Sequence, residues 1–227
     1  MTVTTVPGGD MDVRIEAGGD IVSQVRPENF LVCGFFTADY RELTERLARE
    51  LGPAIPYHFF FREKGTATWR DIVRWKPDVI MQAMDLYPGK EIILLDVDCS
   101  VLGPISSMTD FNGDISGYPI HVFKPRPWPL RGRFKLHISS RSLALKPTDR
   151  TRTFLSAWRE ECKDATGKYR RSGCEMAMLT ALTKTTGIAF CPMDIRYSGR
   201  ETTTKLPGAI ITHSSASQAH DGHLQTR

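Results

Sequence analysis

Glu91-Ile92-Ile93-Leu94-Leu95-Asp96-Val97-Asp98-Cys99-Ser100 is an apolar run that ends in two carboxylates spaced one residue apart. Four consecutive aliphatic residues read as a strand buried on both faces, the pattern of a parallel sheet covered by helices. Side chains at i and i+2 leave a strand on the same side, so Asp96 and Asp98 can converge on one ligand. In open α/β sheets ligands collect beyond the carboxyl ends of the strands, which is where this pair falls. Two hard oxygen donors at such a point suit Mg2+ or Mn2+, ions that complete their shells with substrate phosphates and water.

Upstream of this run the pattern alternates. Asn29 to Phe36 is an apolar strand running into Thr37-Ala38-Asp39-Tyr40, and a helix follows from Tyr40 to Leu51, with Leu43, Leu47 and Leu51 on one face. Tyr57 to Phe61 reads as a second strand. Trp69 to Leu86 reads as a second amphipathic helix, interrupted at Lys76-Pro77 and stopped by Pro88-Gly89. The order β-α-β-α-β is that of a nucleotide-binding, Rossmann-like half of an α/β domain with a mostly parallel central sheet flanked by helices. Residues 1–27, in which two Gly-Gly pairs flank the alternating Met11 to Glu16, read as an N-terminal arm or peripheral hairpin ahead of a single domain over 28–227.

Downstream, Gly113 to Tyr118 reads as a short strand and Pro119 to Lys135 as a long loop rich in proline and arginine. Ile138 to Leu145 reads as a strand, Thr151 to Cys162 and Gly173 to Thr183 as helices, and Gly208 to Ile211 as a last strand before Thr212-His213 and a polar tail. No repeat of solenoid period is present.

At 227 residues the chain is long enough for one substantial core, and nothing in its composition requires a second. A formal charge of +4 is too small to imply nucleic acid by itself. The five cysteines are odd in number and scattered, with no Cys-x-x-Cys pair, which fits a reducing compartment rather than a disulfide scaffold or zinc site. No apolar run is long enough to span a bilayer, and the polar start lacks the regions of a signal peptide, so the expected location is cytoplasmic.

Five segments, in order, resemble a small glycosyltransferase of the GT-A fold, among the nucleotide-diphospho-sugar transferases. They are Phe36 to Tyr40 at the end of the first strand; Trp75-Lys76-Pro77 and the helix through Ala83; Leu94 to Asp98; Ser139 to Thr148 with the helix containing Phe154-Leu155 and Trp158; and Ile211 to Ser217. The resemblance implies that residues 28–227 are a catalytic domain moving a sugar from a UDP- or GDP-linked donor to a carbohydrate or other hydroxyl acceptor, an anionic one included. It further implies a divalent ion, Mn2+ or Mg2+, on the donor diphosphate. Asp98 and His213 would be direct ligands, with Asp96 meeting the metal through water or reaching the ribose or sugar. Thr37, Asp39 and Tyr40 would contact base and ribose, and Lys76 the nucleotide or its phosphates. Such chemistry has a physical logic. Breaking the anomeric C–O bond builds negative charge on the diphosphate while the sugar becomes oxocarbenium-like, and a divalent ion stabilises that charge.

Residue by residue, blander readings stand beside these: a helix-surface lysine for Lys76, a hydrogen-bonded strand-end histidine for His213. Glu175 follows Ser172 at the spacing of a capping box, in which it bonds the N-cap amide. The family often carries an acidic pair at the head of this helix, and the first acid is absent here. If functional, Glu175 is a candidate general base or a binder of donor or acceptor hydroxyls. The basic, proline-stiffened stretch Phe123 to Lys135 reads as part of an acceptor side or lid, with Trp128 placed for sugar stacking and arginines such as Arg131 for an anion.

Two other functions compete. Leu95 to Leu102 also resembles the motif of a haloacid-dehalogenase-like phosphatase, with Asp96 as nucleophile and Asp98 as acid and base. That motif normally opens its domain, whereas a β-α-β-α segment precedes it here. A non-catalytic sugar-nucleotide-binding module is the other.

Overall fold

The computed structural model describes residues 4–6, 13–16, 18–124, 133–163, 173–200 and 207–213. Glu91–Leu95 is a strand whose side chains alternate between two apolar cores, Ile92 and Leu94 in one, Ile93 and Leu95 in the other. All four are at most 1% exposed. Each such burial is worth about 1.5–3 kcal/mol, so this strand stands where the layers of the domain meet.

In chain order the strands are β1 (Thr4–Val6), β2 (Val13–Ile15), β3 (Ile21–Val22), β4 (Phe30–Phe36), β5 (Tyr57–Phe61), β6 (Glu91–Leu95), β7 (Cys99–Val101), β8 (Ile115–Lys124), β9 (Arg133–Leu145), β10 (Phe190–Pro192), β11 (Gly199–Arg200) and β12 (Ile211–His213). The helices are α1 (Arg41–Leu51), α2 (Trp69–Ile72), α3 (Lys76–Leu86), α4 (Asp149–Cys162) and α5 (Gly173–Lys184). Among the described residues, nine strands form one sheet in the order β1-β2-β3-β5-β4-β6-β9-β8-β10. Its centre, β5-β4-β6, is parallel, as is the β8-β10 pair. The remaining pairings are antiparallel.

One face of the sheet is covered by α3, α4 and α5, through Val79, Ile80, Phe154, Trp158 and Met178. The other carries α1, through Leu47 and Leu51, and a second sheet of three strands, β11-β12-β7, through Cys99 and Ile211. This is the helix-flanked α/β architecture the residue pattern predicts. Among the described residues no helix is long and apolar enough to cross a membrane.

The interruption expected at Lys76-Pro77 is real. The Asp71 carboxylate accepts from the Thr68 amide at 2.9 Å and its hydroxyl at 2.6 Å to start α2. After one turn the chain tightens into a 3-10 segment, Val73–Trp75, and α3 restarts with Pro77 in its first turn, where a missing N–H costs nothing. Lys76 therefore opens a helix instead of lying within one. Gly89, at φ +76°, makes the turn into β6 in a region that favours glycine. Gly34 of β4 is needed for a different reason: a Cβ there would lie 2.6 Å from the Leu95 carbonyl oxygen, just before Asp96.

Two readings change. The stretch 119–135 is not a loop throughout: β8 runs to Lys124 and β9, antiparallel to it, starts at Arg133, while 125–132, Trp128 and Arg131 included, lie outside the described residues. Pro119 is tolerated because it lies at a register irregularity after Gly117, where no ladder N–H is required. The last strand is Ile211–His213 instead of Gly208–Ile211, since Gly208 turns at φ +74°. Within residues 1–27, β1 and β2 pair as a hairpin, and β3 joins β5, so the segment supplies an outer edge of the central sheet. Asp20 anchors it, bonded to His58 Nε2 at 2.9 Å and to the Phe61 amide at 2.7 Å.

Candidate metal and nucleotide site

The acid pair converges by a route other than strand alternation. β6 ends at Leu95, and Asp96 to Asp98 form a turn closed by the Cys99 amide on the Asp96 carbonyl at 3.1 Å. β7 begins at once, and the antiparallel ladder with β12 sets His213 opposite Cys99. One register thus carries an imidazole from far along the chain to the residue beside Asp98. Ligand atoms of Asp96, Asp98 and His213 all lie within 4.8 Å of one another. His213 is buried, and its Nε2 meets the Ser142 hydroxyl of β9 at 2.9 Å, which orients the ring. Two carboxylates and an imidazole form a hard to borderline donor set that fits Mn2+.

Lys76 is 4% exposed. Its ammonium meets Asp96 Oδ1 at 2.6 Å, the Ser140 carbonyl at 2.8 Å and the Ser140 hydroxyl at 3.3 Å, three acceptors for three donors. Burial works against the charge, but Asp96 foremost, with Cys174 and Glu175, keeps the Lys76 pKa above its usual value. Asp98 is the opposite case. Burial and the neighbouring Asp96 charge push its pKa up to about 6, against the pull of Lys76 and Arg141.

Thr37 and Asp39 lie on the turn after β4, with Tyr40 ending it. The Thr37 hydroxyl donates to the Asp39 carboxylate, and Lys64 Nζ stands 3.3 Å from its other oxygen. Burial notwithstanding, these partners hold the Asp39 carboxyl below the usual carboxylate range. A cleft runs from Thr37, Asp39 and Tyr40 past Trp69 to Lys76, Asp96 and Asp98. It therefore joins the residues read as nucleotide contacts to the acid pair. Trp69, 42% exposed, lines this cleft and was not among the residues singled out in sequence, where only its place at a helix start marks it.

Glu175 is half-buried on the first turn of α5, and its charge is among those felt by Lys76, but it does not line the cleft. Its suggested capping partner, Ser172, lies outside the described residues, as does 214–217 of the His213 segment. Ser140, Arg141 and Ser142 were overlooked individually. Their signal was the polar string Ser139-Ser140-Arg141-Ser142 at a point where β9 pairs with the end of β6.

No family model and no curated protein matches the chain. Solved structures do. A glycosyltransferase involved in glycosylation of the major capsid of PBCV-1 aligns with a TM-score of 0.57 at 14% identity, over 82% of this chain and 93% of that one. GlyE, a glycosyltransferase of Streptococcus pneumoniae TIGR4, gives 0.53 at 8% identity, over 82% of this chain and 54% of its own. The galactosyltransferase LgtC, solved with donor and acceptor sugar analogues, gives 0.51 at 9% identity, over 82% and 87%. The chain has the fold of these glycosyltransferases.

Proposed function

We propose that the chain is a metal-dependent glycosyltransferase that moves a sugar from a UDP- or GDP-linked donor to a hydroxyl acceptor. The observation that carries this reading is the convergence of Asp96, Asp98 and His213 at one end of the cleft, on a fold shared with glycosyltransferases. Thr37, Asp39 and Tyr40 receive base and ribose, and Trp69 offers a stacking face. Asp98 and His213 hold the ion, Mn2+ in preference to Mg2+ because of the imidazole. Asp96 shares the site with Lys76. An ion held there supplies Lewis-acid charge to the departing diphosphate. Glu175, on the Lys76 side, is the further carboxylate able to accept a proton from the acceptor or to bind donor hydroxyls.

The phosphatase alternative needs its acidic strand to open the domain, whereas β6 follows β4 and β5 in the parallel centre of the sheet. Calorimetry with UDP- and GDP-sugars, with and without Mn2+, tests the proposal. Metal-dependent binding followed by transfer or slow donor hydrolysis supports it. Binding without turnover makes the chain a sugar-nucleotide-binding module, and hydrolysis of p-nitrophenyl phosphate without nucleotide binding makes it a phosphatase.

A further inference from the structure

Four of the five cysteines are buried, and two of these meet. Cys162 ends α4, and Cys174 lies in the first turn of α5. Trp158 stands one turn before Cys162 on the same face of α4, and its indole N–H donates to the Cys174 carbonyl at 3.1 Å. That bond holds the start of α5 against the face that carries Cys162. Both cysteines belong to the same core cluster, and their side chains are hydrogen-bonded to each other. No spacing motif marks them in sequence; the packing of α4 on α5 brings them together.

Their surroundings make the two thiols unequal. The hydrogen bond from Cys174 foremost, and then the charge of Arg74, hold Cys162 below the ordinary thiol value against burial and the charges of Asp78 and Glu161. Arg74 is itself buried, 3.2 Å from Asp71. Burial, and then the hydrogen bond it donates to Cys162, keep Cys174 well above that value. Cys33 and Cys99, enclosed one in each core, are raised by burial as well. The thiolate is the reactive form of sulfur, so nucleophilic character is directed to Cys162 while Cys174 keeps its proton. Access suits a small reagent: Trp158 is 0% exposed, but Cys162 and Cys174 are each 4% exposed, and the next residue, Lys163, is exposed.

We infer that Cys162 and Cys174 are a redox pair that a hydroperoxide closes to a reversible disulfide, a modification site apart from the residues lining the nucleotide cleft. The Cys162 thiolate attacks the peroxide: an S–O bond forms, the O–O bond breaks, and the departing oxygen takes a proton and leaves as water. Cys174 then attacks the Cys162 sulfenic acid, so that an S–S bond forms, the S–O bond breaks, and hydroxide leaves as water with the thiol proton. The two thiols lose two electrons and two protons, and hydrogen peroxide becomes two waters. A dithiol reductant reverses the change. Hydrogen-bonded sulfurs need only a short approach to reach the disulfide length of about 2.05 Å. The bond fastens α4 to the turn of α5 that carries Glu175, beside the Cys174 whose charge Lys76 feels. The pair stands whether or not the chain is a transferase.

The unaltered native protein is treated with hydrogen peroxide at neutral pH, quenched with catalase, unfolded in urea with an alkylating reagent and mapped by peptide mass spectrometry. Titratable thiols should fall from five to three, a peptide cross-linked through Cys162 and Cys174 should appear, and dithiothreitol should return all five. The oxidised protein should also unfold at a higher urea midpoint, because the bond restricts the unfolded chain. Cys162→Ser and Cys174→Ser should each abolish the cross-link, and Cys191→Ser should keep it. Cross-links through Cys191 or between molecules overturn the inference, as does oxidation of Cys162 to a sulfinic acid with no cross-link. Five thiols unchanged by peroxide overturn it too. A lower urea midpoint after oxidation also does, by showing that the bond opposes the native packing. All of these outcomes are read on the unaltered protein, so they decide the matter even where a serine variant fails to fold.

Discussion

Replacing Lys76 with methionine keeps the aliphatic stem and removes the charge. The residue is 4% exposed, and its ammonium is shared among Asp96 Oδ1 at 2.6 Å and the two Ser140 oxygens at 2.8 and 3.3 Å. Breaking a fully buried pair costs about 3–5 kcal/mol. Asp96, however, keeps 27% of its side chain exposed and can rehydrate. We therefore expect a loss of about 2–3 kcal/mol in urea unfolding of the metal-free protein. A second effect follows from charge. Asp98 must be ionised to hold a metal, so Mn2+ affinity in the native protein should fall as pH drops through about 6. Lys76 is one of the two cations holding that pKa down, so in Lys76→Met the fall should begin at higher pH. Saturating Mn2+ should restore most of the lost stability by returning positive charge to the acids. Unchanged unfolding free energy and an unchanged pH midpoint for Mn2+ binding would refute this reasoning. If stability held while nucleotide affinity fell at pH 8, Lys76 would be a phosphate contact instead.

Asp98→Asn should abolish Mn2+-dependent donor binding and leave the fold intact, checked by calorimetry and circular dichroism. Because burial raises the native pKa from 3.8 to about 6, the native form of metal-free protein holds its proton longer than the unfolded form and loses stability as pH rises between those values. Asparagine removes that loss, so at pH 8 the metal-free variant should be more stable by up to roughly 3 kcal/mol in urea. Ser142→Ala frees the His213 ring from its 2.9 Å contact, and Mn2+ affinity should drop about tenfold with little change in melting temperature. Gly34→Ala brings a Cβ to 2.6 Å from the Leu95 carbonyl, which should cost about 1–3 kcal/mol and lower Mn2+ affinity as the acid turn shifts.

Local features were legible in the sequence and non-local ones were not. β6 could be read because its four aliphatic residues face two cores at once, and the α3 restart because Pro77 allows a helix to begin but not to continue through it. Lys76 was found for its position next to proline, but its engagement with Asp96 and Ser140 depends on β9 lying beside β6, a pairing across 64 residues that no local pattern encodes. The hairpin strands were hidden by their prolines and arginines, although Arg133 to Ile138 alternates as a strand does. His213 was reached through the order of motifs. What sets it beside Asp98 is its register with β7, a three-residue strand too short to announce itself.

In the proposed enzyme the charges at the site couple metal and nucleotide binding. Asp96 and Asp98 contribute two negative charges, and Lys76 and Arg141 act on the pair with two positive ones. The metal-free site is thus already near neutrality, which limits its attraction for a dication. A nucleoside diphosphate brings negative charge that the protein alone does not match. Each ligand then improves the site for the other, and linkage requires that the factor by which nucleotide tightens Mn2+ equal the factor by which Mn2+ tightens nucleotide. Lys76 and Arg141 have this in common, but they divide in geometry. Lys76 is enclosed and committed to Asp96 and Ser140, whereas Arg141, half-buried on β9, acts on Asp98.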